Sequence, residues 1–484
     1  MAPAPDHPLR WLADQVERRP DAPALVGGDV SISHGLLWDS LGRWSRVMRS
    51  AGLEPGQPTA VQTRSRSRLA RALWLAIHGG LPLLTLNPSH TQAGRLMRRC
   101  GVRQVIADAD LPVPGGVRRL PAAALDRLTD GAPVDDPAPM PGDRPQLLVP
   151  TSGTEGPARA VMLSCRNISA AAFATNRIVG LEREHRWLCA LPLTHVAGIM
   201  ILMRCAAAGA AAILHEKFDA RTVAAAMAES GVTHVSLVPA MLHRLLEAGA
   251  DPSSLRAALV GGSGVSDDLA ARALAAAWPV KLAYGLTETT AHVALGDLSA
   301  SVQHLVAQPG TSIEISRQQD GGTPEAGFIQ ISGPTVMLGY ANEELQPGDG
   351  LVRQGCFRTQ DLGQLDGEGR LRVLGRGDDV LISGGVNVHP AQVEDLLAAC
   401  PGVAEVAVTG VSDPIWGTRL VALFCGDATA EKVSDWAAEN IAGPLRPREF
   451  RRVHALPRTA LGKLRRGDLA GLLRTRSGDG DRPS

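Results

Sequence analysis

A short loop rich in glycine and hydroxyl side chains is the first segment of the sequence that could carry chemistry. Thr151-Ser152-Gly153-Thr154-Glu155-Gly156 directly follows the apolar run 147–149, which is typical of a buried strand. Backbone N–H groups and small hydroxyls in such a loop can close around phosphate oxygens. The loop lacks the Gly-Lys-Ser/Thr that ends a Walker loop. Taken alone, it predicts either a phosphate-binding loop or a solvated turn.

Five more motifs follow, and each contains a side chain that could bind a ligand or take part in catalysis. In isolation, Lys463 would be a solvated charge and His195 a core or loop histidine. Glu288 and Asp361 would be a helix-start carboxylate and a turn residue. The five motifs, in chain order, are Leu191-Pro192-Leu193-Thr194-His195-Val196-Ala197-Gly198, Tyr284-Gly285-Leu286-Thr287-Glu288-Thr289-Thr290, Phe357-Arg358-Thr359-Gln360-Asp361-Leu362-Gly363, Gly375-Arg376-Gly377-Asp378-Asp379-Val380-Leu381-Ile382-Ser383-Gly384-Gly385 and Leu456-Pro457-Arg458-Thr459-Ala460-Leu461-Gly462-Lys463.

Together and in this order, the six motifs resemble the core motifs of the acyl-adenylate-forming (AMP-binding) superfamily, in particular its acyl-CoA synthetases. The resemblance spans residues 150–466, and the preceding part of the chain fits the length of such proteins. It implies an AMP-forming acid–thiol ligase that uses ATP, Mg²⁺ and CoA and a small-molecule carboxylic acid. Attack of a carboxylate on the α-phosphate of ATP brings two anions together, so the site must neutralise charge and hold an in-line geometry.

The resemblance implies roles for the residues around the phosphates. Glu288, with Thr154, would hold the Mg²⁺ ion, and Glu288 would also be catalytic. Lys463 would bridge the substrate carboxylate and an α-phosphate oxygen as a compact cation. His195 is a further catalytic candidate. The residues implied to cradle the β- and γ-phosphates are Thr151, Ser152, Gly153, Thr154 and Gly156.

The remaining implied roles concern the nucleoside and the thioester-forming step. Asp361 would accept both ribose hydroxyls, Arg376 would contact the same sugar, and Tyr284 would stack on adenine. A small C-terminal domain would pivot at Asp378 between the two steps. The other implied ATP-binding residues are Gly262, Ser263, Gly285 and Thr287, and the turn implied to pass the pantetheine arm of CoA is Ser383, Gly384 and Gly385.

Some positions depart from the family pattern. Glu155 stands where the phosphate loop normally has Thr or Ser, and a carboxylate there must point outward, meet a cation or weaken ATP binding. Arg159 replaces the usual Lys and Ala160 the usual Gly, and Gln360 replaces the Gly before Asp361. These changes leave the implied class intact but affect the expected nucleotide affinity.

The acid itself is indicated by three segments, 191–199, 217–219 and 235–246, which look most like those of o-succinylbenzoate–CoA ligases of menaquinone synthesis. The alternatives are a CoA ligase for another aryl or medium-chain acid, and a catalytically weak relative kept for binding. An amino-acid-activating domain is disfavoured, because no Asp precedes His195 where such domains bind the amine.

Composition excludes several other classes of protein. The chain has 49 Lys+Arg against 49 Asp+Glu and 3% aromatic residues, so it lacks the basic excess and the stacking surfaces of a nucleic-acid-binding protein. The most apolar stretch, 199–214, contains Arg204 and is too short to span a bilayer. No secretory signal and no paired cysteines are evident, so we expect a cytoplasmic protein with free thiols. A homo-oligomer is compatible with this composition.

The elements that must position these residues follow from hydrophobic periodicity. Apolar runs at 147–149, 187–191, 234–238 and 257–260 alternate with helical patterns, which predicts an α/β fold with largely parallel sheets and crossover helices. After residue 310, short runs predict a β subdomain and then a small mobile α+β domain. The segment 111–145 is predicted to be loop with one helical turn. The expected organisation is an adenylate-forming domain at 1–375, a hinge at 376–379, a lid domain at 380–474 and a disordered tail at 475–484.

Overall fold

Short apolar strands that alternate with helices build the first 300 residues into two sheets. The computed structural model describes residues 7–27, 30–50, 52–126, 136–139, 141–151, 158–299, 304–317, 326–383, 386–414, 416–441, 443–458 and 464–474. The helices are α1 Pro8–Arg18, α2 His34–Ser50, α3 Arg66–Gly79, α4 Ala93–Arg99, α5 Cys165–Val179, α6 Val196–Ala208, α7 Ala220–Glu229, α8 Pro239–Glu247, α9 Asp267–Ala275, α10 Pro390–Ala398, α11 Ala430–Asn440 and α12 Arg466–Arg474.

The larger sheet has nine strands in the order β15-β14-β13-β12-β11-β9-β10-β1-β2. Its six central strands, from β13 to β1, are parallel, whereas the strands at both edges are antiparallel. The strands are β1 Pro23–Gly27, β2 Val30–Ser33, β9 Arg186–Cys189, β10 Ala211–Leu214, β11 His234–Leu237, β12 Ala257–Gly261, β13 Val280–Tyr284, β14 Ala294–Asp297 and β15 Val306–Ala307.

A second sheet of seven strands has the order β18-β8-β7-β4-β3-β5-β6, with β7 leading into the hydroxyl-rich loop. Five of its strands, from β7 to β6, run parallel, and β8 returns antiparallel to β7. The strands are β3 Thr59–Gln62, β4 Leu83–Leu86, β5 Gln104–Ala107, β6 Arg118–Pro121, β7 Pro145–Pro150, β8 Ala160–Ser164 and β18 Gly339–Tyr340.

The chain then changes to antiparallel β-structure and ends in a small α+β domain. A four-stranded sheet has the order β16-β17-β19-β20, and the C-terminal sheet has the order β22-β21-β24-β23 with β25 parallel to β24. The C-terminal sheet packs with α10 and α11 around its own apolar core. The strands are β16 Ser312–Arg317, β17 Gly327–Ser332, β19 Cys356–Leu365, β20 Leu371–Arg376, β21 Leu381–Ser383, β22 Val386–Val388, β23 Val403–Asp413, β24 Gly417–Gly426 and β25 Glu449–Arg452.

The predicted fold class is confirmed, and one local prediction is corrected. The segment 111–145 contains the strand β6, where only loop was predicted, while its 3-10 helix, Ala122–Asp126, agrees with the predicted helical turn. Only Leu120 of β6 is buried, so this edge strand lacks the apolar run that would reveal it. Arg376, the first residue of the predicted hinge 376–379, is also the last residue of β20 and pairs with Asp361, and the hinge itself stays a prediction. The predicted tail 475–484 lies outside the described residues.

Other expectations from composition agree with the structure. All seven cysteines are free thiols, and six of them are buried. Among the described helices, none is long and apolar enough to cross a membrane.

Asn167 links the start of α5 to the segment that lies behind Glu288. Its Nδ2 donates to the carbonyls of Pro334 (2.7 Å) and Val336 (2.8 Å), and its Oδ1 accepts from the Ser164 backbone N–H at 2.9 Å. The next residue, Met337, donates its backbone N–H to the Glu288 carbonyl at 2.9 Å. Asn167 therefore stabilises the backbone that supports this carboxylate-bearing turn.

We expect Asn167→Ala to lower the free energy of unfolding by about 2–4 kcal/mol, because it removes one half of the capping box of α5 and the donor to the buried Val336 carbonyl and the more exposed Pro334 carbonyl. The shift in the urea unfolding midpoint measures this loss. Asn342→Ala is the matched control, since Asn342 makes two local hydrogen bonds to Gln346 at an exposed position. A loss no larger than the control's would contradict this role.

Candidate active site

A cleft of about 3270 Å³ lies between the carboxyl ends of β12 and β13 and the C-terminal domain. In open α/β sheets, ligands bind beyond the carboxyl ends of the strands. The cleft exceeds the ~300–1,000 Å³ of an ordinary ligand pocket, so it is an open space between two domains. Of the predicted site residues, those that line it are Thr151, Gly262, Ser263, Tyr284, Gly285, Thr287, Glu288, Asp361 and Arg376.

The predicted phosphate loop is anchored at the rim of this cleft. The Thr151 backbone N–H donates to the Arg159 carbonyl at 2.9 Å, which joins the two strands that flank the loop. Thr151 and Arg159 both line the cleft. The predicted phosphate ligands Ser152, Gly153, Thr154 and Gly156, together with Glu155, lie outside the described residues.

Two glycine-containing turns leave the sheet at the floor of the cleft. Gly262 follows β12 with a φ of +91°, a backbone conformation that favours glycine, and it is exposed together with Ser263. Gly285 follows β13, and a Cβ there would lie 1.6 Å from the Ala291 carbonyl oxygen. The turn after β13 then enters a 3-10 helix, Thr287–Thr289, which carries Glu288.

The structure brings Tyr284 and Asp361 together although they are 77 residues apart in the chain. The Tyr284 hydroxyl donates to Asp361 Oδ2 at 2.8 Å. Burial, and then the negative charge of Asp361, raises the pKa of Tyr284 well above its usual value, so the hydroxyl remains a donor. The residue predicted to stack on adenine thus orients the carboxylate predicted to bind ribose.

Arg376 connects this pair to the predicted hinge. Its guanidinium donates to both oxygens of Asp378, at 2.8 and 2.7 Å, and lies 4.0 Å from Asp361. The hydrogen bond to Asp378 raises the pKa of Arg376, and the same contact lowers the pKa of Asp378. Arg376, which was predicted to contact the ribose, and Asp378, the predicted pivot, therefore form an ion pair.

Glu288 is held by Tyr340, a residue that the sequence analysis did not identify. The Tyr340 hydroxyl donates to Glu288 Oε1 at 2.8 Å, and the Arg159 guanidinium lies over the Tyr340 ring at 5.0 Å. Burial, and then the charge of Glu288, raises the pKa of Tyr340. The chain has only two tyrosines, and each holds a carboxylate of this site. The rarity of tyrosine in the chain is the sequence signal that could have identified Tyr340.

The arrangement around Glu288 fits a Mg²⁺ ion bound mainly through substrate phosphates. Mg²⁺ usually keeps several waters and is held by one or two carboxylates together with phosphate oxygens. Within the part of the chain that the structure describes, no group of three His, Cys, Asp or Glu could hold a metal ion by itself. A single oriented carboxylate at the cleft is a suitable donor for such an ion.

Among the described residues, His195 and Ser383 were predicted for the site but do not line the cleft. His195 is half-buried at the start of α6 and does not line the cleft. Ser383 ends β21 and is buried, while Gly384 and Gly385 lie outside the described residues. Lys463 also lies outside them, but the neighbouring Leu464 lines the cleft.

Arg204 is a second residue whose importance the sequence analysis missed. It lies on α6, is fully buried, and its Nη2 meets His292 Nδ1 at 3.2 Å. Its guanidinium also lies 5.6 Å from the centre of the Trp187 ring. His292 sits close to the end of β13, because the next residue, Val293, donates to the Tyr284 carbonyl at 2.9 Å. The sequence signal that could have identified Arg204 is its position as the one charged residue in the otherwise apolar helix α6.

The charge of Arg204 has no acidic partner among the described residues. Its Nε and Nη1 are buried without hydrogen-bond acceptors in that part of the chain. Burial lowers the pKa of Arg204 to about 9, which leaves the guanidinium charged at neutral pH. Burial, and then the Arg204 charge, lowers the pKa of His292 well below its usual value, so this histidine is neutral. A buried cation of this kind favours an anionic ligand.

Two family models match most of the chain. Residues 12–341 match the family described as AMP-binding enzyme, and residues 392–463 match the family described as AMP-binding enzyme C-terminal domain. Together the two matches include every predicted site residue except Asp361, Arg376, Asp378, Ser383, Gly384 and Gly385.

Curated relatives and solved structures cover the chain almost completely. A 2-succinylbenzoate–CoA ligase of Bacillus licheniformis is 32% identical over 480 residues, which are 96% of this chain and 99% of the relative. A ligase of the same name from Bacillus subtilis is 29% identical and covers 95% of this chain and 97% of the relative. The o-succinylbenzoate CoA synthetase of Bacillus subtilis, solved with the acyl-adenylate intermediate OSB-AMP, has a TM-score of 0.86 and 28% identity over 97% of this chain and 99% of that chain.

Proposed function

Because this chain belongs to the AMP-binding enzyme family, we propose that it is an ATP-dependent acid–CoA ligase that acts on 2-succinylbenzoate. The resemblance found in the six motifs is confirmed by the family match, as is the acid–thiol ligase class. The relatives support the expected co-substrates, since the Bacillus subtilis synthetase was solved with ATP and a magnesium ion. The corresponding pathway is menaquinone synthesis, as the sequence analysis expected.

The buried guanidinium of Arg204 is the observation that carries the choice of acid. The 2-succinylbenzoate ion has two carboxylates, so one remains negative after the other has been activated. The turn 285–292 begins at Gly285, which lines the cleft, and folds back so that His292, with Arg204 behind it, lies beside Gly285. An acid bound at this turn would place its succinyl carboxylate at the cleft and direct its ring carboxylate towards Arg204, which lies behind the cleft wall. A monocarboxylic acid would leave this buried cation without a partner.

In the first step, a carboxylate oxygen of the acid attacks the α-phosphorus of ATP. A bond forms between that oxygen and phosphorus, the bond to the β-phosphate oxygen breaks, and pyrophosphate leaves. Asp361, oriented by Tyr284, would hold the ribose, which fixes the α-phosphate relative to the acid. Lys463 would place its ammonium where negative charge collects. Mg²⁺, held by Glu288, would supply charge stabilisation on the departing pyrophosphate.

In the second step, the thiolate of CoA attacks the carbonyl carbon of the acyl-AMP. A carbon–sulfur bond forms, the bond to the phosphate oxygen breaks, and AMP leaves. The two steps need different groups around one carbon, so the C-terminal domain would pivot at Asp378. The ion pair between Asp378 and Arg376 would couple this pivot to the occupied nucleotide site.

Pyrophosphate release from ATP with a panel of acids tests the proposal directly. We expect release with 2-succinylbenzoate, and AMP and a thioester when CoA is added. Response to another aryl or medium-chain acid alone would assign the enzyme to that acid instead. Silence across the panel, with nucleotide binding retained, would favour the catalytically weak binding relative.

We expect Tyr340→Phe to raise the Mg²⁺ concentration that gives half-maximal pyrophosphate release by about 10-fold. The variant removes the hydroxyl that orients Glu288 but keeps the ring against Arg159. Tyr284→Phe is the matched control, because it frees Asp361 and should raise the KM for ATP instead. Superimposable Mg²⁺ titrations for Tyr340→Phe and the unmodified protein would remove Tyr340 from this role.

A further inference from the structure

Arg466, the first residue of α12, connects two segments of the C-terminal domain with one residue of the predicted hinge. Its Nη1 and Nη2 donate to the two carboxylate oxygens of Glu394 on α10, at 2.7 and 2.8 Å. Nη1 also donates to the Val408 carbonyl on β23 at 3.2 Å. On its other side, Nε lies 3.0 Å from Asp379 Oδ2. All three nitrogens of the guanidinium are therefore used, and they join segments that are remote in the sequence.

On the side of the C-terminal domain, Arg466 is held in one position. Glu394 is itself oriented, because its Oε1 accepts the Val408 backbone N–H at 2.7 Å. Leu469, three residues further along α12, is fully buried in an apolar cluster with Leu423 of β24. A bidentate pair between a guanidinium and a carboxylate has a fixed planar geometry. The Arg466 guanidinium is therefore a rigid part of this domain.

Asp378 and Asp379 are neighbours in the chain, but arginines from different domains hold them. Asp378 accepts two hydrogen bonds from Arg376, the last residue of β20. Asp379 instead pairs with Arg466 of the C-terminal domain. Rotation of the backbone between the two aspartates would leave both ion pairs intact and would cost the 3.3 Å hydrogen bond from the Asp379 N–H to the Arg376 carbonyl. The side-chain contacts thus change from one domain to the other at this peptide link.

Arg466 is also close in the sequence to the lysine that is expected to serve the first step. Lys463 precedes it by three residues, so their Cα atoms can be no more than about 11 Å apart. Leu464, which stands between them, bridges to Arg458 and lines the cleft. The position of Arg466 relative to the hinge therefore limits where the Lys463 ammonium can be placed.

We propose that Arg466 anchors the hinge to the C-terminal domain through Asp379 and is thereby a positioning residue for Lys463. This inference rests on the proposed function, in which Lys463 acts at the α-phosphate. Arg466 would act through Lys463 rather than on the reacting atoms. Without the contact to Asp379, the domain would turn about a looser joint, and the ammonium would no longer return to one place. A misplacement of about 1 Å can cost about 100-fold in rate.

Arg466→Met and Asp379→Ala break the same contact from its two sides. We expect each to lower kcat for pyrophosphate release about 10–100-fold. The KM for ATP should stay within about 2-fold, because the residues predicted to bind the nucleotide lie in the large domain. The double variant should lose no more than the more affected single variant, since one contact is lost in all three. Asp379→Ala leaves the pair with Glu394 intact, so it serves as the test even if Arg466→Met does not fold.

Chemical labelling of Lys463 reports its position whatever acid the enzyme uses. Acetyl-AMP carries its acyl carbon at the α-phosphate. A lysine amine held there attacks that carbon, an amide bond forms, the bond to the phosphate oxygen breaks, and AMP leaves while the amine gives its proton to water. We expect acetylation of Lys463, measured by mass spectrometry, to be at least about 10-fold slower in Asp379→Ala. Acetylation of Lys432, an exposed lysine, should be unchanged and gives the background rate. Equal rates at Lys463 in variant and unmodified protein would overturn the proposal.

Arg419→Met is the matched control, since Arg419 also lies between two carboxylates of the same domain, Asp413 at 3.6 Å and Glu449 at 3.1 Å. It should change pyrophosphate release without CoA by no more than about 2-fold. A lower urea midpoint for Asp379→Ala with normal labelling of Lys463 would show a purely structural role and overturn the proposal. Failure of the proposed function would instead appear as absent pyrophosphate release in the unmodified protein, and the labelling rates would still decide this inference.

Discussion

Replacing Lys463 by alanine is expected to abolish acyl-AMP formation, with a loss of about 10²–10³-fold or more in pyrophosphate release. The same variant should convert supplied acyl-AMP and CoA to thioester at close to the normal rate. The reason is that negative charge concentrates around the α-phosphorus only in the first step, when carboxylate and phosphate meet. The second step develops charge at the carbonyl carbon, after the C-terminal domain has turned.

The structure supports this expectation through the residues on both sides of the segment 459–463. Arg458 and Leu464 form an isolated antiparallel bridge, and the Arg465 backbone N–H donates to the Pro457 carbonyl at 2.8 Å. Arg458 and Leu464 both line the cleft. The described residues on both sides of the segment 459–463 therefore lie at the cleft.

The two half-reactions are measured separately, as pyrophosphate release without CoA and as thioester formation from supplied acyl-AMP. Arg465→Ala is the matched control, since it removes a positive charge two residues away that pairs with Asp468 at the surface. It should change neither rate by more than about 2-fold. Equal loss of both half-reactions in Lys463→Ala would refute the assigned role.

Arg204→Met is expected to lower kcat/KM for 2-succinylbenzoate by about 10²–10³-fold and to make the folded protein more stable. The activity is lost because a buried anion is left without its cation, which typically costs about 2–5 kcal/mol. Stability rises because the guanidinium is fully buried with no acidic partner in the described part of the chain. Replacing an uncompensated buried charge by an apolar side chain of similar size can add about 1–4 kcal/mol.

Two acids that differ only in the ring carboxylate make this prediction specific. The unmodified enzyme should strongly prefer 2-succinylbenzoate over 4-oxo-4-phenylbutanoate, which lacks that group. Arg204→Met should lose the preference and keep its activity on the second acid. Arg204→Lys, which retains a positive charge, should recover part of the activity on 2-succinylbenzoate.

The thermal midpoint of the variant provides an independent readout. A residue with a purely structural role would lose stability and activity together, and it would lose activity on both acids equally. A lower thermal midpoint with equal losses on both acids would remove Arg204 from substrate recognition. Ile201→Met, another substitution of a fully buried residue on α6, controls for repacking of the helix.

The family, the reaction class and most of the parallel strands of this protein could be predicted from its sequence alone. The six motifs have residue types that follow from the chemistry of phosphate, ribose and carboxylate, so their order indicated the family and the reaction class. The parallel strands were predictable because their apolar runs are local patterns of burial on both faces. The β6 strand and α12 were not predicted, because an edge strand and a short terminal helix bury too few side chains to leave a clear periodicity.

Only the tertiary structure decided which side chains meet. Tyr340 is 52 residues from Glu288, and Arg204 is 88 residues from His292. Such contacts depend on how crossover connections fold the strands together, and no local period in the sequence encodes that arrangement. The chain itself determines what chemistry is possible, because residue type sets charge and donor capacity. The fold determines which carboxylate is oriented and which cation is left unpaired, because both depend on distances between segments that are remote in sequence.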